Sequence, residues 1–155
     1  MDPIAHWKHI ITQANSAFAH DHYALAAGLY QHAAGIMTDA WPHYVENQQQ
    51  LSQQQWQDSV VQLVICFSVS VQNLAETYAR QQRWRRCLSV LRQTLNQLQR
   101  LLQQLPGSHP ASIAVLRESC HIRREFCRFS QQQQPEKPQD PTTALYSSAA
   151  QSWLH

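Results

Sequence analysis

Residues 3–37 read PIAHWKHIITQANSAFAHDHYALAAGLYQHAAGIM, and the spacing of apolar side chains along this stretch decides the fold class. Ile4, Trp7, Ile11, Ala14 and Phe18 recur at steps of three and four, which places them on one face of an α-helix. Asp2 offers a capping oxygen ahead of Pro3, whose missing N–H does no harm in a first helical turn. The polar triplet His20-Asp21-His22 then breaks the pattern, and Tyr23, Ala26, Ala27, Tyr30, Ala33, Ala34 and Met37 resume it. The segment therefore reads as two helices folded back on each other. Trp41-Pro42 is expected to end the second, because a residue preceding proline is driven away from helical angles.

Further along the chain the same periodicity persists. The stretch from Asn47 to Gln57 is rich in glutamine, a good helix former, and a third helix is placed there, with Ser52 and Gln55 as its capping box. Val60, Leu63, Val64, Phe67, Val71, Leu74 and Tyr78 continue that helix, unbroken by glycine or proline, for about 30 residues in all. A break near Gln81-Gln82 opens a fourth helix carrying Trp84, Leu88, Leu91, Leu95, Leu98, Leu102 and Leu105, stopped by Pro106-Gly107. Ser108 is positioned to cap a half-buried fifth helix with Ile113, Leu116, Cys120, Ile122, Phe126, Cys127 and Phe129. Residues 131–142 combine glutamine with Pro135, Pro138 and Pro141 and read as a flexible linker. Residues 143–155 read as a short amphipathic helix bearing Leu145, Tyr146, Ala149, Ala150, Trp153 and Leu154. Residues 1–130 thus form one all-α domain of antiparallel helix hairpins, followed by a linker and a terminal helix.

Bulk properties bound the function. With 155 residues, 43% of them apolar, the chain holds enough material for one core, and its three glycines leave few tight loops of the kind catalysis uses. The amino terminus lacks the apolar core of a secretory signal, and Val60 to Val71 falls short of the roughly 20 residues that span a bilayer. Neither export nor membrane partnership is expected. Cys66, Cys87, Cys120 and Cys127 stand singly within helical patterns, as buried thiols do in a reducing cytoplasm. Net charge is +2, but its distribution is uneven: residues 1–79 carry −5, whereas residues 80–128 hold ten arginines against two glutamates, +8. Such a basic half suits an acidic ligand or head-to-tail contact between copies.

An internal repeat accompanies these patterns. Ala14, Phe18, Tyr23, Ala26, Tyr30 and Ala33 have counterparts at Leu74, Ala75, Tyr78, Trp84, Cys87 and Leu91, with Tyr23 and Trp84 separated by 61 residues. Small residues at Ala14, Ala26, Ala75 and Cys87 let helices approach closely while aromatics fill the groove beside them. This alternation resembles the tetratricopeptide repeat, though that repeat is about 34 residues long, so the third helix and its glutamine-rich entry count as an insertion. The resemblance covers residues 5–37 and 68–130, and Ser108-His109-Pro110 opens a third unit without its second helix. It implies a short solenoid-like stack, two full units and a capping helix, that serves as an adaptor, scaffold or chaperone holding a peptide in a concave groove.

On that resemblance the first helices of each unit line the groove. Asn15, Gln72, Asn73, Glu76, Arg80, Arg83, Arg117 and Arg124 are the expected partner-binding residues, because amides and guanidinium groups bond peptide backbone and carboxylates. The expected partner is another protein or peptide, with an acidic segment favoured. Self-assembly into a homo-oligomer through the terminal helix is the alternative, and a nucleic-acid role for Arg80, Arg83, Arg85, Arg86 and Trp84 is disfavoured because no nucleic-acid motif accompanies them. No cofactor, metal or enzymatic activity is expected. His6 and His9 share a helical face but have no neighbouring carboxylate or thiol, Cys120 and Cys127 are too far apart to share a zinc ion alone, and no phosphate loop, nucleophile elbow or zinc-protease motif occurs.

Overall fold

The computed structural model describes residues 2–46, 52–105, 107 and 109–133. Among them are five helices and no strand: α1 (Pro3–Ala19), α2 (Tyr23–Glu46), α3 (Gln53–Arg80), α4 (Trp84–Gln104) and α5 (Pro110–Gln133). The cap oxygens lie where the sequence puts them. Asp2 Oδ1 accepts the Ile4 N–H at 3.3 Å, and Ser52 Oγ accepts that of Gln55 at 3.2 Å.

Packing is organised around α3. It lies against all four of the other helices, while α1 packs on α2 and α4 on α5. Side-chain pairings fix the directions. Trp7 Nε1 donates to Ser70 Oγ at 2.7 Å and the Arg80 guanidinium lies 5.6 Å from the Phe18 ring centroid, so α1 and α3 run parallel. Trp56 meets His109 with ring centroids 4.3 Å apart and Arg128 pairs with Glu76 at 3.0 Å, so α3 and α5 are also parallel, with α5 displaced by 52–53 residues. Trp41 Nε1 donates to Gln104 Oε1 at 3.3 Å and ties the ends of α2 and α4, which run the opposite way.

The two hairpin turns are the same structure written in different residues. Asp21 N–H donates to Phe18 C=O and His22 N–H to Ala17 C=O, at 3.0 and 2.9 Å; 61 residues later Gln82 N–H donates to Ala79 C=O and Arg83 N–H to Tyr78 C=O, at 2.9 and 2.8 Å. This is a left-handed helix ending whose reversed residue satisfies two orphan carbonyls. Asp21 has φ 61° and Gln82 φ 59°, a region glycine adopts freely and side-chain-bearing residues do not. Asp21 gains the Tyr23 hydroxyl as a donor at 2.9 Å. The small positions behave as their size demands: Ala14, Ala26, Ala33, Ala75 and Cys87 are all 0% exposed, each at a helix contact a larger side chain would hold apart. Burial also pushes the Cys87 thiol up to about 12, with Glu76 adding to the rise, so it is an uncharged core group and not a nucleophile.

Two expected helix ends need correction. α2 does not stop at Pro42 but continues through it to Glu46, because tertiary contacts hold the final turn: Trp41 reaches Gln104, and Trp56 Nε1 donates to Tyr44 C=O at 2.7 Å. At the start of α5 the buried His109 Nδ1 accepts the Ala111 N–H at 2.9 Å, with Pro110 at the first helical position; Ser108, expected to cap, lies outside the described residues. α5 also runs on through Gln133, three residues into the stretch read as linker. Finally, α3 taken from Gln54 to Arg80 is long and apolar enough to cross a bilayer by length and composition, but most of its apolar stretch is buried among the other helices, which accounts for that character. Residues 47–51, Pro106, Ser108 and 134–155, on which the glutamine-rich entry, most of the linker and the terminal helix were read, lie outside the described residues.

The turn geometry predicts that Gln82→Gly stabilises the fold by about 0.5–1 kcal/mol, since the left-handed residue loses its side-chain penalty; a urea midpoint that does not rise contradicts this. The His109 cap requires a neutral imidazole, and burial holds its pKa below the ordinary histidine value. The unfolded chain therefore binds a proton first as pH falls below about 6.5, and the stability contributed by this group is present above that value and lost on further acidification. His109→Asn keeps a capping acceptor without the titration, so thermal melts from pH 7 to pH 5 should show a shallower loss of Tm in the variant than in the parent chain.

Candidate partner-binding groove

α2 and α4 each pack on α3 and meet each other at the Trp41–Gln104 hydrogen bond, so a groove separates them with α3 as its floor. Floor residues are Leu63, Val64, Phe67, Val71, Leu74 and Tyr78. On the α2 side the wall is low, because Ala34 and Gly35 are small and Gln31 and Thr38 are polar. A Cβ built on Gly35 meets no atom within 4 Å, so the backbone there faces open space. The α4 wall is built from Arg85, Arg86, Ser89, Gln93, Gln97, Arg100, Leu101 and Gln104. A wide section of about 610 Å³ lies toward Arg85 and Arg86, and a narrower, more apolar one of about 200 Å³ lies toward Trp41 and Gln104, whose hydrogen bond bridges that end.

The amphipathic design of α4 produces this surface. Cys87, Leu91, Thr94 and Leu98 are buried against α3, and Arg92 turns the other way, its guanidinium 5.6 Å from the Phe126 ring centroid of α5. The residues between, one step round the helix from the buried row, form the polar wall. Three arginines and no aspartate or glutamate line the described groove, so its field favours a negatively charged occupant.

The expected binding residues are placed otherwise. Gln72, Glu76 and Arg80 lie on α3 roughly 180° round the helix from Phe67, Val71, Leu74 and Tyr78, on the side shared with α1 and α5. Several are occupied by internal contacts. Asn15 Oδ1 accepts the Tyr30 hydroxyl at 2.6 Å and Gln72 Nε2 donates to Ser68 Oγ at 2.9 Å, whereas at Asn73 it is the backbone carbonyl that accepts, from the Thr77 hydroxyl at 2.7 Å. Glu76 is brought together with Arg80 at 3.3 Å and with Arg128, which also pairs with Glu125. Arg83 caps α4 by position with no side-chain capping bond, and Arg117 and Arg124 are exposed on α5. The arginine run of residues 80–86 is thereby divided: Arg80 belongs to the α1 and α3 side, Arg85 and Arg86 to the groove. Gln31, Thr38, Gln93, Gln97 and Arg100 were missed; their signal is the polar row in α4 facing the small pair Ala34-Gly35, 63 residues apart in the register Trp41 and Gln104 set. Among the described residues no three histidine, cysteine, aspartate or glutamate side chains gather as a metal site would need.

The chain belongs to the family described as Protein of unknown function (DUF2753), whose sequence model matches residues 5–144. No curated protein and no solved structure matches it.

Proposed function

We propose that this protein is a tetratricopeptide-like interaction module that holds an acidic peptide segment of a partner protein in the groove between α2 and α4. Support for the stack comes from the two identical turns 61 residues apart, with fully buried small residues at matching places. The observation that carries the binding reading is the groove lining: an apolar floor beneath a wall bearing Arg85, Arg86 and Arg100, with no carboxylate among the described lining residues. Apolar side chains of the partner occupy the floor and supply affinity, and its carboxylates meet the guanidinium forks, which match them in geometry and speed encounter. The site differs from the concave face that the repeat resemblance implies, because that face spends Glu76, Arg80 and Arg128 on one another. The division of the arginine run disfavours a nucleic-acid reading, since Arg80 lies on one side of the fold and Arg85 and Arg86 on another.

The test uses a fluorescein-labelled synthetic peptide alternating leucine with glutamate, and its lysine counterpart, in anisotropy titrations at low and physiological salt. The glutamate peptide is expected to bind, more weakly as salt rises. Arg86→Glu should weaken it at least tenfold, about 1.4 kcal/mol, as should Gly35→Trp, which fills the open space beside α2. Arg117→Glu, on α5, should leave it unchanged. Equal binding of the lysine peptide, insensitivity to both groove substitutions, or preferential binding of a single-stranded oligonucleotide would each overturn the proposal.

A further inference from the structure

The polar wall of α4 is ordered along the helix in a way that charge alone does not require. Arg86, Gln93, Gln97 and Gln104 all line the groove and lie within about 40° of one another round the helix, so they form one row. Guanidinium groups stand at Arg86 and Arg100, and the two glutamines between them are neutral. Gln104 is engaged by the Trp41 indole, whereas Gln93 and Gln97 are exposed and have no hydrogen-bond partner among the described residues. A side-chain amide is both donor and acceptor, which makes it the complement of a peptide unit. The spacing then selects a conformation. Gln93 and Gln97 are four residues apart, about 6 Å along the helix axis. In an extended chain the N–H and C=O groups on one side recur at every second residue, about 6.4–6.8 Å apart, a mismatch that flexible glutamine side chains absorb. A bound helix has its backbone groups bonded internally except at its ends and leaves this row nothing to hold. The α2 wall has no such match. Gln31 and Thr38 are seven residues apart, about 10.5 Å, closest to three extended residues, whose end groups point to opposite sides, and the Thr38 hydroxyl is turned back onto the Gly35 carbonyl.

We infer that the groove takes its partner segment in extended form, with the Gln93 and Gln97 amides hydrogen-bonded to the segment's backbone along α4. The inference rests on the reading of the groove as a site for an acidic peptide, and it adds the conformation and the spacing of what binds. Leu98, in the narrow apolar section, is 12 residues from Arg86, about 18 Å. An extended chain covers that distance in about five or six residues. The segment recognised therefore has a large apolar side chain seated between Met37 and Leu98 and a carboxylate about five or six residues away at Arg86. Successive side chains of an extended segment point alternately to the floor and to solvent, so every second residue meets Phe67, Val71 and Leu74. Amide bonds to the backbone hold any sequence alike, and selectivity comes from the anchor and the carboxylate.

The test uses the alternating leucine–glutamate peptide and two isomers of it, one with ester oxygens in place of the leucine N–H groups and the other with esters in place of the glutamate N–H groups. In an extended peptide all residues of one kind present their backbone groups to the same wall. One isomer is therefore expected to bind the full chain roughly tenfold more weakly than the all-amide peptide, through the loss of about two hydrogen bonds, and the other to bind as the all-amide peptide does. In Gln93→Met, Gln97→Met, where methionine fills similar space without an amide, the two isomers should bind alike. Equal affinities of the isomers for the parent chain overturn the inference, as does a difference that persists in the double variant. Either result, obtained while the all-amide peptide still binds and still depends on Arg86, leaves the acidic-groove reading standing. Failure of the all-amide peptide to bind overturns both.

Discussion

The interaction on which the rest depends is the sheathing of α3. Val60, Leu63, Val64, Phe67, Ser68, Ser70, Val71, Leu74, Ala75 and Thr77 are all buried, and they occupy more than one side of the helix. A helix with this much apolar surface, 28 residues long, must bury it, and that burial is the dominant gain available to the chain, while the strip Gln54, Asp58, Gln62 and Ile65 stays in water. The polar groups among these residues are satisfied locally. Ser70 accepts from Trp7 and donates to the Cys66 carbonyl at 2.8 Å, and Thr77 donates to that of Asn73, so the core holds hydroxyls at little cost.

From this constraint the groove follows. Four helices lie on one, and short reversed turns keep α1 beside α2 and α4 beside α3, so the two returning helices share the floor beneath them and the Trp41–Gln104 bond at one end. What separates α2 from α4 is composition: Ala34 and Gly35 on one side do not reach toward the long polar side chains of α4 on the other. The arginines of the carboxy-terminal half then decide the electrostatics. Some are consumed internally, as with Arg128 between Glu76 and Glu125 and over the Phe129 ring at 4.2 Å. Those that line the groove have no carboxylate beside them among its described lining residues, and that difference, not the net charge of +2, makes the groove locally positive.

Much of the architecture was legible because it rests on local rules. Step-three and step-four spacing located all five helices, and Asp2 and Ser52 marked two starts. The offset from Tyr23 to Trp84 anticipated that the two turns would match. The failures share one physical cause, tertiary contacts overriding local preference. Pro42 ends a helix by its own chemistry, but indoles from Trp41 and Trp56 anchor the turn beyond it. His109 is a poor cap by propensity, yet burial against Trp56 fixes it as an acceptor. The surroundings of the expected binding residues were not legible either: Asn15, Gln72 and Glu76 have suitable chemistry, and only the fold reveals that they also have intramolecular partners.

The central claim is that two hairpins lie side by side with α2 and α4 parallel over α3. The most direct measurement is a nuclear Overhauser spectrum of the full chain, read at the indole N–H protons of Trp41 and Trp7. Cross-peaks from Trp41 to the Gln104 side chain and from Trp7 to Ser70, each 63 residues distant, are expected. Indole protons that show contacts only within their own helices, and exchange rapidly with solvent, would contradict the account.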